Sequence, residues 1–130
     1  MMELKLVGKN KEYSSFVREL RNNKEIKTGF IQQEHIAEAE HETHMTLYAY
    51  NYYVCLVDDQ PAGYVGQIRN DIRVATHPDF QGKGVGKFMI NELMKTRPES
   101  FAKVKIENEA SIKLFEACGF KKKYYILEKE

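Results

Sequence analysis

Thr76-His77-Pro78-Asp79-Phe80-Gln81-Gly82-Lys83-Gly84-Val85-Gly86-Lys87-Phe88 is the stretch on which the fold turns. The β-branched run 72–76 leads in as a strand, and the apolar spacing over 85–94 leads out as a helix. Between them stand three glycines at alternate positions and two lysines, Lys83 and Lys87. Glycine lets a backbone come close to a ligand without a Cβ in the way. The first turn of a helix carries unpaired N–H groups and the positive end of the dipole. Together these features predict an anion cradle suited to a pyrophosphate.

Three phosphate-binding patterns can be compared with it. A P-loop, G-x-x-x-x-G-K-[ST], would place its first glycine at Gln81 and its metal-binding hydroxyl at Phe88, so it fails twice. The dinucleotide fingerprint G-x-G-x-x-G fails in spacing, because the glycines here are 82, 84 and 86. The pattern Q/R-x-x-G-x-G/A is met in full by Gln81-Gly82-Lys83-Gly84-Val85-Gly86. It resembles motif A of the GNAT superfamily of acyl-CoA-dependent N-acyltransferases. A second stretch, Asn108-Glu109-Ala110-Ser111-Ile112-Lys113-Leu114-Phe115-Glu116-Ala117-Cys118-Gly119-Phe120, fits that superfamily's motif B, N-x-x-[SA]-x-x-[LF]-[YF]-x-x-x-G-F. By itself this second stretch is also a capped amphipathic helix with a glycine stop. The two motifs in order, each after a strand, make the resemblance specific over residues 52–120.

The chain around these motifs is ordinary. Its 130 residues suit one domain, 1–130, with enough length to bury a core. Hydrophobic residues make up 42% and charged residues 30%, which excludes a disordered class. The net charge of +1 gives no support for a nucleic-acid or membrane partner. Cys55 and Cys118 have neither metal spacing nor a disulfide framework. No apolar run looks like a signal or a membrane span, so the expected location is the cytoplasm.

Read in order, 4–7 is a first strand. Tyr13, Phe16, Val17 and Leu20 make a helical stripe ending at Asn22-Asn23. Residues 32–45 read as a polar helix lying beside or over a cleft. Strands are expected at 52–57, 63–68 and 72–76, joined by short turns. After the cradle helix, 103–106 reads as a strand parallel to 72–76. A helix over 110–118 and a closing strand over 120–128 follow. The expected architecture is α/β: a GNAT-like, mixed, mainly antiparallel sheet of about six strands. It has a splayed central parallel pair and about four flanking helices.

The resemblance implies a cofactor and its place. The pantetheine arm of acetyl-CoA would lie along the backbone of Val74, Ala75 and Thr76. The pyrophosphate would sit on Gln81, Gly82, Lys83, Gly84, Val85, Gly86 and Lys87, with Asn108 and Phe115 of motif B completing the site. The implied reaction is direct acetyl transfer to a primary amine of a small molecule, without a covalent enzyme intermediate.

Leu20-Arg21-Asn22, Phe30, Ile36 and Glu40-His41 resemble the N-terminal pattern of relatives that acetylate nucleotide-linked amino sugars, so an amino sugar is the favoured acceptor. A non-catalytic acyl-CoA-binding domain and a protein N-acetyltransferase are the alternatives. A second copy completing the sheet edge would make a homodimer.

Amine acetylation needs a proton acceptor, an oxyanion donor and a route for the thiolate to leave. Asp71, at the start of the strand before the cradle, is the candidate base. Many relatives carry a tyrosine acid where this chain has Phe115. Tyr124 is the candidate replacement, with Tyr125 and Cys118 behind it. His41-Glu42-Thr43-His44 lacks the H-E-x-x-H zinc spacing, and no metal is expected.

Overall fold

A computed structural model of the protein describes residues 1–27, 29–31 and 35–130. Four strands form one antiparallel sheet in the order β1-β2-β3-β4. They are β1 (Met2–Leu6), β2 (Tyr52–Val57), β3 (Gln60–Ile68) and β4 (Asp71–Thr76). Among the described residues five α-helices surround them: α1 (Lys11–Arg21), α2 (Lys24–Lys27), α3 (Glu38–Tyr48), α4 (Val85–Thr96) and α5 (Glu109–Ala117).

Alternation along the strands separates two cores. Tyr52, Val54, Leu56 and Tyr64 face α1 and α3, where they meet Val17, Leu20 and Met45. Cys55, Val65 and Ile72 face α4, where Val85, Met89, Ile90 and Leu93 are buried. Each such side chain, fully buried, contributes about 1.5–3 kcal/mol. The β2–β3 register shifts between Cys55 and Leu56, opposite Gly63 and Pro61. That bulge places Ala62 and Val65 on one face and Tyr64 on the other.

Two close approaches require glycine. A Cβ on Gly66 would lie 2.4 Å from the Asn51 carbonyl oxygen and 2.9 Å from Tyr52 Cδ1. A Cβ on Gly63 would lie 2.6 Å from the Ala75 carbonyl oxygen.

Several expected elements need correction. The helix expected over 32–45 begins at Glu38 and runs to Tyr48; its first three positions, 32–34, lie outside the described residues. Just before Glu38, Ile36 and Ala37 lie outside the helix, Ala37 with extended backbone. The Asn22 side chain donates to the Ile36 carbonyl at 2.9 Å and accepts from the Ile36 N–H at 2.8 Å, occupying both groups as a strand partner would.

Among the described residues the sheet has four strands rather than six. The parallel pairing with β4 is confined to one bridge, Asp71 to Phe101, with Phe101 N–H bonding Asn70 at 2.8 Å and Ile72 N–H bonding Phe101 at 2.9 Å. Residues 103–106 then part from β4 without forming a ladder. The closing strand over 120–128 is absent, and residues 121–130 are exposed. The two corrections are connected, since 103–106 would need a neighbour on its other side to become an interior strand. The fifth helix is the short α2, which the sequence pattern did not announce.

Candidate active site

The parting of 103–106 from β4 opens a cleft of about 810 Å³. One wall is β4. The Ile72 N–H points outward to Phe101, so by strand alternation the backbone groups of Val74 and Thr76 point outward as well, into the cleft. The other wall is α5, through Ala110, Ser111, Leu114 and Phe115. Phe30, Ile31 and Ile36 from the connection between α2 and α3 close it from above. Asn108 ties these parts together. Its Oδ1 caps α5 by accepting from the Ser111 N–H at 3.2 Å, and its Nδ2 donates to the Gly29 carbonyl at 3.2 Å.

The cradle forms one end. Pro78–Phe80 makes a single 3-10 turn, with His77 Nδ1 accepting from the Asp79 N–H at 3.1 Å. Gly82 and Gly84 follow with φ of 76° and 80°, a left-handed backbone that disfavours other residues. A Cβ at either would meet nothing within 4 Å, so the space over them is open. The first intrahelical bond of α4 runs from the Phe88 N–H to Gly84 at 3.0 Å. The amides of Val85, Gly86 and Lys87 therefore precede the helical ladder and are available to an anion.

Gly86 has a different reason. A Cβ there would lie 3.0 Å from Leu114 Cδ2. The third glycine of motif A thus makes room for the leucine of motif B and sets how closely α4 and α5 pack.

The cleft gathers most of the residues singled out from sequence. Val74, Ala75, Thr76, Gln81, Gly82, Gly84, Val85, Gly86, Lys87, Asn108, Phe115 and Asp71 all line it. Lys83 does not; its ammonium lies 5.5 Å from the Phe80 ring centre, in a cation–π contact. Phe115 is 7% exposed and packs edge-on against Phe120 at 5.1 Å. Tyr124 is 90% exposed and Tyr125 85%, both on the terminal segment outside the cleft lining, so the structure does not bring them to the site. Burial raises the Cys118 thiol pKa, against a smaller opposing effect of Lys87.

Residues that the motifs did not mark form the other end. Tyr52, Gly66 and Arg73 stand in one row across β2, β3 and β4. The glycine lets the Tyr52 ring pack closely over β3 on the face toward α1. Tyr64 stands in the next row, opposite Ala75. Tyr52 hydroxyl and His44 Nε2 are 3.0 Å apart. Burial, then Arg21, Arg73 and His41, push the His44 pKa down to about 4. Burial raises the phenol pKa of Tyr52 and of Tyr64, while Arg21 and Arg73 oppose it in both.

Asp71, 19% exposed, sits 3.6 Å from Arg73 Nη2 and 4.0 Å from Lys103 Nζ. His41 turns elsewhere: its Nε2 meets the Ser14 carbonyl at 2.9 Å and hydroxyl at 3.0 Å. The two histidines therefore serve different helices and strands. Among the described residues no group of three or more His, Cys, Asp or Glu could hold a metal, and no helix is long and apolar enough to cross a membrane. Arg73 had one sequence signal, being the lone charge inside the apolar run 72–76.

An anion cradle between a splayed β4 and a motif B helix defines the acyl-CoA-dependent acyltransferases. Residues 14–120 match the model of the acetyltransferase (GNAT) family, and the chain belongs to that family. By that membership it is an acetyl-CoA-dependent N-acetyltransferase.

No curated protein sequence matches the chain. Among solved structures it is similar to spermidine N-acetyltransferase from Vibrio cholerae in complex with CoA and spermine. The TM-score is 0.79 at 19% identity, over 98% of this chain and 85% of that one. A domain from Methanocaldococcus jannaschii gives 0.76 at 21% identity, over 95% and 90%. An aminoglycoside acetyltransferase in complex with coenzyme A gives 0.72 at 17% identity, over 95% and 86%. At these identities the likeness is one of fold.

Proposed function

We propose that the chain transfers the acetyl group of acetyl-CoA directly to a primary amine of a small molecule, with an amino sugar as the favoured acceptor. The observation that carries this reading is the continuous cleft from the open left-handed glycines, past the outward backbone of Val74 and Thr76, to the Tyr52–Asp71–Arg73 end. The residues present fit the donor. Gly82 and Gly84 leave the cradle open, the α4 amides with Lys87 suit its pyrophosphate, and the edge of β4 suits the pantetheine amides. When bound, acetyl-CoA supplies an activated thioester carbonyl.

The chain's own groups do the rest. Asp71 accepts the proton of the incoming amine, and its closeness to Arg73 and Lys103 holds the carboxylate at the cleft wall. An outward N–H of β4 donates to the developing oxyanion. Phe115 brings no proton, so it serves as an apolar wall.

The reading is tested by acetylating a panel of amines that includes free and nucleotide-linked amino sugars, spermidine and peptide N-termini. Turnover highest with an amino sugar supports it. Turnover only with peptides makes the chain a protein N-acetyltransferase. Acetyl-CoA binding without turnover of any amine makes it a binding domain.

A further inference from the structure

The acceptor end of the cleft has an excess of cations over carboxylates. Arg21 comes from the end of α1 and Arg73 from β4, and both line the cleft. Both act electrostatically on the same three groups: His44, Tyr52 and Tyr64. None of the three can answer with a charge, because the histidine is held neutral and the phenols are held protonated.

Arg21 makes no ion pair with any described residue. Arg73 and Lys103 share one carboxylate, Asp71, at 3.6 and 4.0 Å. These distances are well beyond the ~2.7–2.9 Å of a charge-assisted hydrogen bond. Glu25 also lines the cleft, on the α2 side. That leaves three cations, Arg21, Arg73 and Lys103, facing two carboxylates.

The guanidiniums are also short of acceptors. Arg21 Nη1 and Arg73 Nε are closed off from water with no hydrogen-bond partner among the described residues. A donor in that state is costly; it is the cleft-lining faces of the two side chains, not these enclosed atoms, that an oxyanion can meet. Gly66, in the row between Tyr52 and Arg73, lets the Tyr52 ring lie close against β3 beside Arg73.

We propose that Arg21 and Arg73 form an anion subsite that selects acceptors carrying a carboxylate or a phosphate besides the amine, and that disfavours polycationic amines. This rests on the acetyltransferase reading of the cleft and adds the substrate class. The anion gives the acceptor its anchor. The same positive potential disfavours the ammonium form of the amine that must be deprotonated, and it repels a second ammonium such as a polyamine carries.

The test uses matched acceptors: glucosamine 6-phosphate against glucosamine, β-alanine against propylamine, and spermidine as the polycation. Binding to the CoA-loaded protein is measured by calorimetry, and turnover by thiol release. The anionic member of at least one pair is expected to win in affinity and in kcat/KM by on the order of 10- to 100-fold, the value of a charge-assisted contact. Which pair responds tells phosphate from carboxylate.

Arg21→Gln should erase that preference, mainly through KM, while leaving the neutral member and acetyl-CoA affinity unchanged; Arg73→Gln, which also frees Asp71 from its ion pair, should slow both members but cost the anionic one more. Arg21→Lys, which keeps the charge, controls for folding, as does the thermal unfolding of each variant. Equal binding of both members of each pair, preference for spermidine, or equal loss on both members in the glutamine variants would overturn the subsite. Failure of the acetyltransferase reading looks different: acetyl-CoA itself would not bind, while the anion preference can still be read on the unliganded protein.

Discussion

The pair formed by half-buried His44 and buried Tyr52 predicts a specific acid sensitivity. His44 has a pKa of about 4 in the folded chain, against 6.5 for an ordinary histidine, because burial and then Arg21, Arg73 and His41 disfavour its charged form. The unfolded chain therefore takes up a proton near pH 6.5 that the folded chain refuses until near pH 4. Across that window the unfolded state binds more protons, so stability rises with pH and falls on acidification. Taken at face value, going from about pH 7 to about pH 5 costs ~2 kcal/mol from this one residue. Discounting for the ring's partial exposure leaves about 1–2 kcal/mol.

The assay is urea unfolding followed by circular dichroism at both pH values, on wild type and His44→Gln. Glutamine cannot titrate, and its amide can still meet the Tyr52 hydroxyl. Wild type should lose that stability and the variant should lose correspondingly less. His41 shifts in the same direction through burial, so a residual slope should persist in His44→Gln and shrink further in the double variant. A wild type equally stable at both pH values, or a variant as acid-sensitive as wild type, would refute the reasoning.

Further outcomes follow from the close approaches and the cap. Gly66→Ala should cost about 1–3 kcal/mol in unfolding free energy, because its Cβ meets backbone at 2.4 Å and cannot be relieved by a rotamer change. It should also weaken acceptor binding by displacing Tyr52. Asn108→Ala removes the α5 cap and the tie to Gly29 together. The cap alone is worth ~1 kcal/mol, or about 4 °C in Tm by differential scanning calorimetry. Cys55 is fully buried and its pKa is pushed up to about 11, so it should resist alkylation in the native protein and react only after denaturation.

The motifs and the antiparallel hairpins were legible in the sequence because they are local. The glycine spacing, Asn108 as a cap, and the composition of β2 all act within a few residues. Three things were not local. The polar helix was expected from 32 because its composition allowed it, yet Asn22, fourteen residues away, occupies both backbone groups of Ile36. Residues 103–106 and 120–128 have strand-like composition, but each needs the other as a neighbour, and composition cannot say whether they meet.

The acceptor end showed the same limit. Tyr52, Gly66 and Arg73 become a row only through strand register, which no motif records. Tyr124 was near the motif B helix in number only; in space it is exposed at the terminal segment.

The cradle is the feature on which the whole account rests, and acetyl-CoA titration by calorimetry tests it most directly. Gly84 needs its left-handed backbone, and the space above it is open. Gly84→Ala should fold with a modest strain of about 1 kcal/mol and keep measurable affinity. Gly84→Glu should fold comparably but lose binding, since its carboxylate enters the place of the pyrophosphate. Binding by wild type, retained in part by alanine and abolished by glutamate, is the predicted result. No binding by wild type, or undiminished binding by Gly84→Glu, would contradict the account.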